Sequence, residues 1–376
     1  MARWVQWSLG MSACAAPFVP PFCPNELCAL HHDTDTPWHW VRAGFYTRQS
    51  RPTRIQRFRC EHCGRCFSEQ TFRGDYWHKR PEFRSETFHA LTHCTGYRQL
   101  ARKLGCSPQT ILRQADHLGR HCLLFHERLR PKGELAESLA LDGLRTFEYS
   151  QYHPSEYHTV IGRRSHYVYG FTHSELRRSG TMTARQRRRR AGIERRLGRP
   201  DPRSVEREVA RVLAIVAAGS QRIELHTDEH AAYPRALRAL PALQVQHHTL
   251  SSRAARTTRN TLFASNLFDG LARHSCANHK RETIAFSKRA SGGIARMWVM
   301  LVWRNYVKWF SERRGGGTPA MRAGVCARRL DVREILKWRL FPGRIGLPEP
   351  WADHYWGRVP ARQYPRARRR RLKFAA

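Results

Sequence analysis

The chain has 376 residues, 41% of them hydrophobic, which is enough for folded cores in two or three domains. Its 67 Lys and Arg outnumber 30 Asp and Glu, leaving a formal charge of +37. That imbalance argues against a routine small-molecule enzyme and for a polyanionic partner, because each phosphate neutralised releases condensed counterions.

Nucleic acid is the first candidate for that partner, an anionic membrane surface the second, and a basic surface serving only solubility the third. No run of about 18 apolar residues occurs, so no membrane span is expected. Residues 1–18 read as an unstructured leader, too polar and broken for a secretion signal. Eleven cysteines without such a signal point to a reducing, cytoplasmic setting in which thiols hold metal.

Residues 19–73 read as a zinc ribbon. Cys23 and Cys28 form one pair, and Cys60 and Cys63 a second in Cys60-Glu61-His62-Cys63-Gly64-Arg65-Cys66. Two thiolate pairs on tight turns supply the four tetrahedral ligands of a structural zinc, with a cluster of buried reduced thiols as the alternative. Cys66, His31 and His32 are spare donors. Between the pairs, Arg54-Ile55-Gln56-Arg57-Phe58-Arg59 alternates as a strand with one cationic face.

Residues 80–130 are expected to be helical, over 83–128. Leu100, Ala101 and Leu104 share a helix face, Gly105 ends that helix, and Ser107 caps the next with Pro108 in its first turn. This is the pattern of a helix-turn-helix, whose second helix would turn Gln109, Thr110 and Arg113 toward double-stranded DNA. An ordinary helical hairpin is the alternative.

Residues 135–312 switch to strands and helices. Strands are expected over 139–144, 158–161, 167–171, 222–228 and 245–249, the first three as a meander. The Arg-rich stretch 185–199 is expected to be an exposed helix or loop. Helices are expected over 204–218, 264–279 and 294–310, and a turn at Tyr233-Pro234. Residues 313–376 read as an irregular basic tail ending in a cationic arm over 366–373. The fold class is therefore α+β and multidomain.

Two acids stand where a plain core would have Val or Ile. Asp142 lies inside Leu141-Asp142-Gly143-Leu144, and Asp228 ends Arg222-Ile223-Glu224-Leu225-His226-Thr227-Asp228. A carboxylate in such a place costs several kcal/mol unless paired or metal-bound. Strand-end turns or arginine pairs are the bland explanation. Two carboxylates on neighbouring strands could instead share Mg2+ or Mn2+ ions suited to phosphodiester chemistry. A third ligand should come from a later helix, where Asn266 and Asp269 share a face; Glu282 is a further candidate. Glu148 and Glu229 are nearby in the sequence and could support the site.

The order of these parts resembles bacterial insertion-sequence transposases with an N-terminal zinc ribbon, a helix-turn-helix and an RNase H-like DDE core. The resemblance spans residues 19–310. It is carried by the Cys60 to Ser68 stretch, Leu141-Asp142-Gly143, His226-Thr227-Asp228-Glu229-His230-Ala231-Ala232-Tyr233 and Arg281-Glu282-Thr283-Ile284-Ala285-Phe286-Ser287-Lys288. It implies Asp142 as first metal ligand and Asp228 as second. Counted back from the Arg281 stretch, the third position falls on Asn266, where many relatives carry Glu and some Asn, so an Asp-Asp-Asn site and a substituting Asp269 both stay open. The implied activity is recognition of terminal inverted repeats, strand cleavage, and attack of the freed 3′-hydroxyl on target DNA. The implied form is a homo-oligomer in the bacterial cytoplasm, associated with the nucleoid and with no membrane partner. A non-catalytic DNA-binding regulator, an inactive copy of the enzyme, and an RNA-binding protein of the same general fold are the alternatives.

Overall fold

The chain divides into two units, Met1–Tyr76 and Trp77–Ala376. A computed structural model describes residues 18–33, 36–49, 52–311, 316–359 and 361. The leader 1–17 and the 366–373 arm lie outside the described residues.

In the first unit, β1 (Trp40–Thr47), β2 (Arg54–Cys60) and β3 (Cys66–Ser68) form an antiparallel sheet in that order. On β2, Ile55, Phe58 and Cys60 are buried while Arg54, Arg57 and Arg59 are exposed, with Phe58 and Cys60 on one face and Ile55 on the other beside Arg57 and Arg59. Phe18, Phe22, Phe58, Phe67 and Phe72 pack ring to ring. So few apolar side chains rarely hold a domain of this size without a staple.

In the second unit the expected helical region resolves into α1 (Phe83–Leu91), α2 (Tyr97–Lys103) and α3 (Pro108–Leu129). Gly105 takes φ +58 after α2, a value that favours glycine. The Ser107 hydroxyl accepts the Thr110 N–H at 3.2 Å and so caps α3. α3 runs for 22 residues, and its second half is core: Leu118, Cys122, Leu123 and Leu124 are buried.

A five-stranded mixed sheet follows, built from β4 (Leu139–Phe147), β5 (Pro154–Gly162), β6 (Val168–Glu175), β7 (Arg222–Asp228) and β8 (Gln244–Leu250). Its order is β6-β5-β4-β7-β8. β4, β5 and β6 are antiparallel neighbours, whereas β7 runs parallel to both β4 and β8. Between β6 and β7 lie α4 (Ala184–Leu197), which buries no residue, and α5 (Ser204–Val216), which buries Val205, Val209, Val212, Leu213 and Val216. α6 (Ala232–Arg238), α7 (Phe263–Ser275) and α8 (Ala290–Val302) complete the layer.

Three expectations are corrected here. Tyr233 and Pro234 lie in the first turn of α6, not in a reverse turn, since a proline there lacks only an N–H that has no helical partner anyway. The last helix does not continue to 310 but passes into a π-helical turn, Trp303–Val307. That turn lets the Asn305 side chain bond both the N–H and the C=O of Val168, each at 2.9 Å. The tail after 313 is not irregular: residues 316–359 hold the helices Pro319–Arg322, Val332–Leu336, Pro342–Ile345 and Glu349–Trp356. Trp351 is fully buried, donates to the Phe171 carbonyl at 2.9 Å and meets the Trp298 ring edge-on at 5.2 Å. No helix among the described residues is long and apolar enough to cross a membrane.

Candidate active site and metal centre

In the first unit, one sulfur from each of Cys23, Cys28, Cys60 and Cys63 lies within 4.8 Å of the others. The Cys60 carbonyl accepts the Gly64 N–H at 2.9 Å, and Gly64 takes φ +68, which closes the knuckle. Trp38 Nε1 donates to Cys60 Sγ at 3.3 Å and Asn25 Nδ2 to Cys63 Sγ at 3.6 Å, bonds that suit thiolates. Burial pushes the Cys23 and Cys28 thiols up. Burial opposes ionisation of Cys63 too, yet the Arg65 N–H and the Asn25 amide bring it down to about 7. This group could hold zinc: four soft donors converge, and three of the four are buried. Of the spare donors, Cys66 is exposed on β3, His32 is exposed, and His31 is buried with Nδ1 2.7 Å from the Cys23 carbonyl; none joins the four sulfurs.

In the second unit the sheet brings carboxylates together. The pairs Leu139↔Leu225 and Ala140↔His226 fix the register of β4 on β7, and continuing it by two residues sets Asp142 level with Asp228. Pairing stops at Ala140, so the strands part where both acids stand, leaving a crevice near the carboxyl end of β7. Asp142 Oδ1 accepts the Gly143 N–H at 2.7 Å, and Asp228 Oδ1 accepts the His230 N–H at 2.9 Å. Burial pushes the Asp142 carboxyl up, and the charge of Asp228 adds to it.

Two more carboxylates join them. Asp269, on α7, is held well above the usual range by burial and then by the charge of Asp142, with Arg273 opposing. Its Oδ1 is buried and has no hydrogen-bond partner. Glu156, on β5, is pushed up to about 7 by burial, against Arg145, with the charges of Asp142 and Asp228 adding to the rise. The Glu156 carboxylate lies over Gly143, where a Cβ would come within 2.4 Å of Oε1. Among the described residues none of these four acids forms a direct ion pair. The nearest opposing influences are the charges of Arg145, Arg256 and Arg273. Asp142, Glu156 and Asp269 thus feel one another's charge, but among the described residues no three of the four acids bring carboxylate oxygens within 4.8 Å of one another.

Asn266 sits one turn before Asp269 on α7 and is half-buried. Glu282 is exposed in the segment after α7, and Glu229 is exposed beside Asp228. Glu148 follows the far end of β4, buried, where it bridges Ser287. Gln109 and Arg113 are exposed and Thr110 half-buried on the opening turns of α3. Sequence reasoning missed Glu156 because the strand was expected to begin at His158, four residues after its start at Pro154. It also missed Arg256, in a loop without periodicity, whose charge reaches both Asp142 and Asp269.

No family model matches the chain, and no curated protein does. Among solved structures, a chain from a cryoEM structure of the simian T-cell lymphotropic virus intasome in complex with PP2A regulatory subunit B56 gamma is similar at 14% identity. The match covers 64% of this chain and 72% of that chain, with a TM-score of 0.25. A likeness of that size says nothing of the chemistry.

Proposed function

We propose that this protein is a metal-dependent polynucleotidyl transferase acting on double-stranded DNA, of the DDE transposase kind. One observation carries the reading. In a chain with 67 cationic and 30 anionic side chains, Asp142, Glu156, Asp228 and Asp269 lie within reach of one another's charge without an ion-pair partner among the described residues. Elsewhere acids find arginines readily: Glu127 with Arg130, Glu194 with Arg177, Glu208 with Arg211, Glu334 with Arg328. Self-repelling carboxylates kept apart from so many guanidinium groups are what a cation site requires.

Asp142 and Asp228 would hold Mg2+ or Mn2+, with Asp269 as third ligand in preference to Asn266, and Glu156 as a fourth oxygen donor. Divalent ions held by these residues would supply activation of a water or a 3′-hydroxyl and stabilisation of the leaving oxygen of the phosphodiester. The protein's own part is positioning. The sheet fixes the carboxylates, Arg256 offsets charge on the scissile phosphate, and the exposed arginines grip backbone without reading sequence. Support for an RNase H-like core comes from the antiparallel meander continued by two strands parallel to its first. The four-cysteine unit and the α2–α3 turn, with Gln109, Thr110 and Arg113 outward, would bind the terminal repeats, and the two ends of an element call for more than one protomer.

The test is strand cleavage of DNA carrying the sequences that flank this reading frame, with Mg2+ or Mn2+. Asp142→Asn and Asp228→Asn should each lower the rate at least about a thousandfold, the equivalent of several kcal/mol of lost charge stabilisation. Cleavage indifferent to both substitutions refutes the assignment.

A further inference from the structure

Outside the carboxylate crevice, β7 and β8 carry a second group of donors. The two-residue period of a strand sets Glu224 and His226 on one face of β7. The parallel register pairs His226 with His248 of β8. Their imidazoles stack at 4.7 Å between centroids and 17° between planes. Glu224 Oε1 lies 2.7 Å from His226 Nε2 and 3.8 Å from His248 Nε2, and one atom from each residue falls within 4.8 Å of the others.

We propose that Glu224, His226 and His248 form a binding site for a divalent transition-metal ion of the zinc class, held by two imidazole nitrogens and one carboxylate oxygen. Bonds of about 2.0–2.1 Å in a tetrahedral arrangement separate two donors by roughly 3.3 Å. The Glu224 contacts, one shorter and one longer than that value, bracket it, so side-chain rotation closes the site without moving the strands. Two imidazoles with one carboxylate select Zn2+, Co2+ or Ni2+ over Mg2+.

Hydrogen bonding without the ion is incomplete in two ways. His248 Nε2 is buried and has no hydrogen-bond partner, a costly state for an imidazole nitrogen directed at a carboxylate 3.8 Å away. His226 Nε2 lies 2.7 Å from Glu224 Oε1 and 2.9 Å from Arg163 Nη1. One nitrogen cannot donate to the carboxylate and accept from the guanidinium together, so one of these contacts is unsatisfied. An ion on Nε2 would take the lone pair offered to Arg163, whose Nη1 would then keep its bond to the Ser138 hydroxyl. Arg163 is anchored by the Thr261 carbonyl and the Ser138 hydroxyl, both at 3.1 Å, and its charge limits the affinity of the site. The His248 and Glu224 side chains are 42% and 43% exposed, so the site lies near the surface although His248 Nε2 itself is buried. Such a site would also fasten the edge strand β8 to β7. It stands on these three side chains and does not depend on the reaction proposed above.

The experiment counts zinc. The full chain carrying Asp142→Asn and Asp228→Asn, so that the crevice is weakened as a competing site, is titrated with Zn2+ against a chromogenic chelator. His248→Ala and Glu224→Gln are then added singly; both side chains are half-exposed, and far-UV circular dichroism checks the fold. His248→Ala should lose one equivalent relative to its parent, and Glu224→Gln should lose that equivalent or weaken it at least tenfold, while the thiolate-bound zinc remains. Equal stoichiometry and affinity in the parent and His248→Ala overturns the site. Should His248→Ala fail to fold, Glu224→Gln decides in the same way.

Discussion

Glu156→Gln should stabilise the second unit in magnesium-free buffer at about pH 8 and change little near about pH 4.5. The Glu156 carboxyl rises from its ordinary 4.5 to about 7 in the folded protein, through burial first and, against Arg145, through Asp142 and Asp228. A folded pKa above the unfolded one means that the folded state binds the proton more tightly. The stability of the wild type therefore falls as pH rises from roughly 4.5 toward 7 and then levels off. A rise from 4.5 to about 7 sets a ceiling of roughly 3.5 kcal/mol. Glu156 is only half-buried. Screening by water reduces the expected gain of the variant to about 1–3 kcal/mol at about pH 8. Gln keeps the shape and removes the charge, so the gain is electrostatic. Urea or thermal melts at three pH values, in buffer freed of magnesium but without chelator so that zinc stays bound, read it directly. Added Mg2+ should then raise the wild type more than the variant, because the ion restores what repulsion removes. A variant that melts with the wild type at about pH 8, or below it at every pH, would show that Glu156 does not belong to the repelling group.

Replacing Arg187, Arg188 and Arg189 of α4 by Ala should leave thermal stability unchanged, since α4 buries nothing. DNA affinity should fall, and the slope of log K against log salt should decrease by about 0.9 for each phosphate no longer neutralised. Cys60→Ser should remove the zinc equivalent of the first unit and unfold that unit, seen as lost metal content and lost near-ultraviolet dichroism, because a structural zinc supplies folding energy. Trp351→Ala should cost about 3–5 kcal/mol in denaturant melts, as loss of a fully buried large side chain does. A cost near zero would return the region after 316 to the status of a loose tail.

What was legible in the sequence followed from periodicity and from chemistry out of place. Apolar residues set among arginines in Arg54-Ile55-Gln56-Arg57-Phe58-Arg59 marked β2, and the stripe Val205, Val209, Val212 and Val216 marked α5. Asp142 and Asp228 were visible because an acid inside an apolar strand needs a reason. The choice between Asn266 and Asp269 was not legible: three residues apart on α7, they differ only in how the helix is rotated over β4, which sequence does not specify. The structure brings the Asp269 carboxylate into the field of Asp142, a tertiary fact. The segment after 316 was misread because its apolar residues, Val332, Ile335, Trp351 and Tyr355, lie on helices of four to eight residues, too short to show a period. Glu156 was lost to a strand boundary, the least certain feature of any pattern reading.

The donors in this chain are sorted by softness, and the sorting itself argues for distinct tasks. Sulfur gathers at Cys23, Cys28, Cys60 and Cys63, on turns of a unit whose few aromatic side chains leave it short of core. Oxygen gathers at Asp142, Glu156, Asp228 and Asp269, where β4 and β7 part and a substrate could enter. Imidazole gathers with Glu224 at the β7–β8 edge. Thiolates discriminate strongly against magnesium, and a cluster of carboxylates binds zinc less selectively than thiolates do. The thiolate group would therefore refuse magnesium, whereas the carboxylates would take magnesium only where zinc is scarce. If the proposed function holds, a zinc chelator should then unfold the first unit while leaving the carboxylates of the second able to take magnesium, so that end recognition and strand cleavage would be lost separately in one titration.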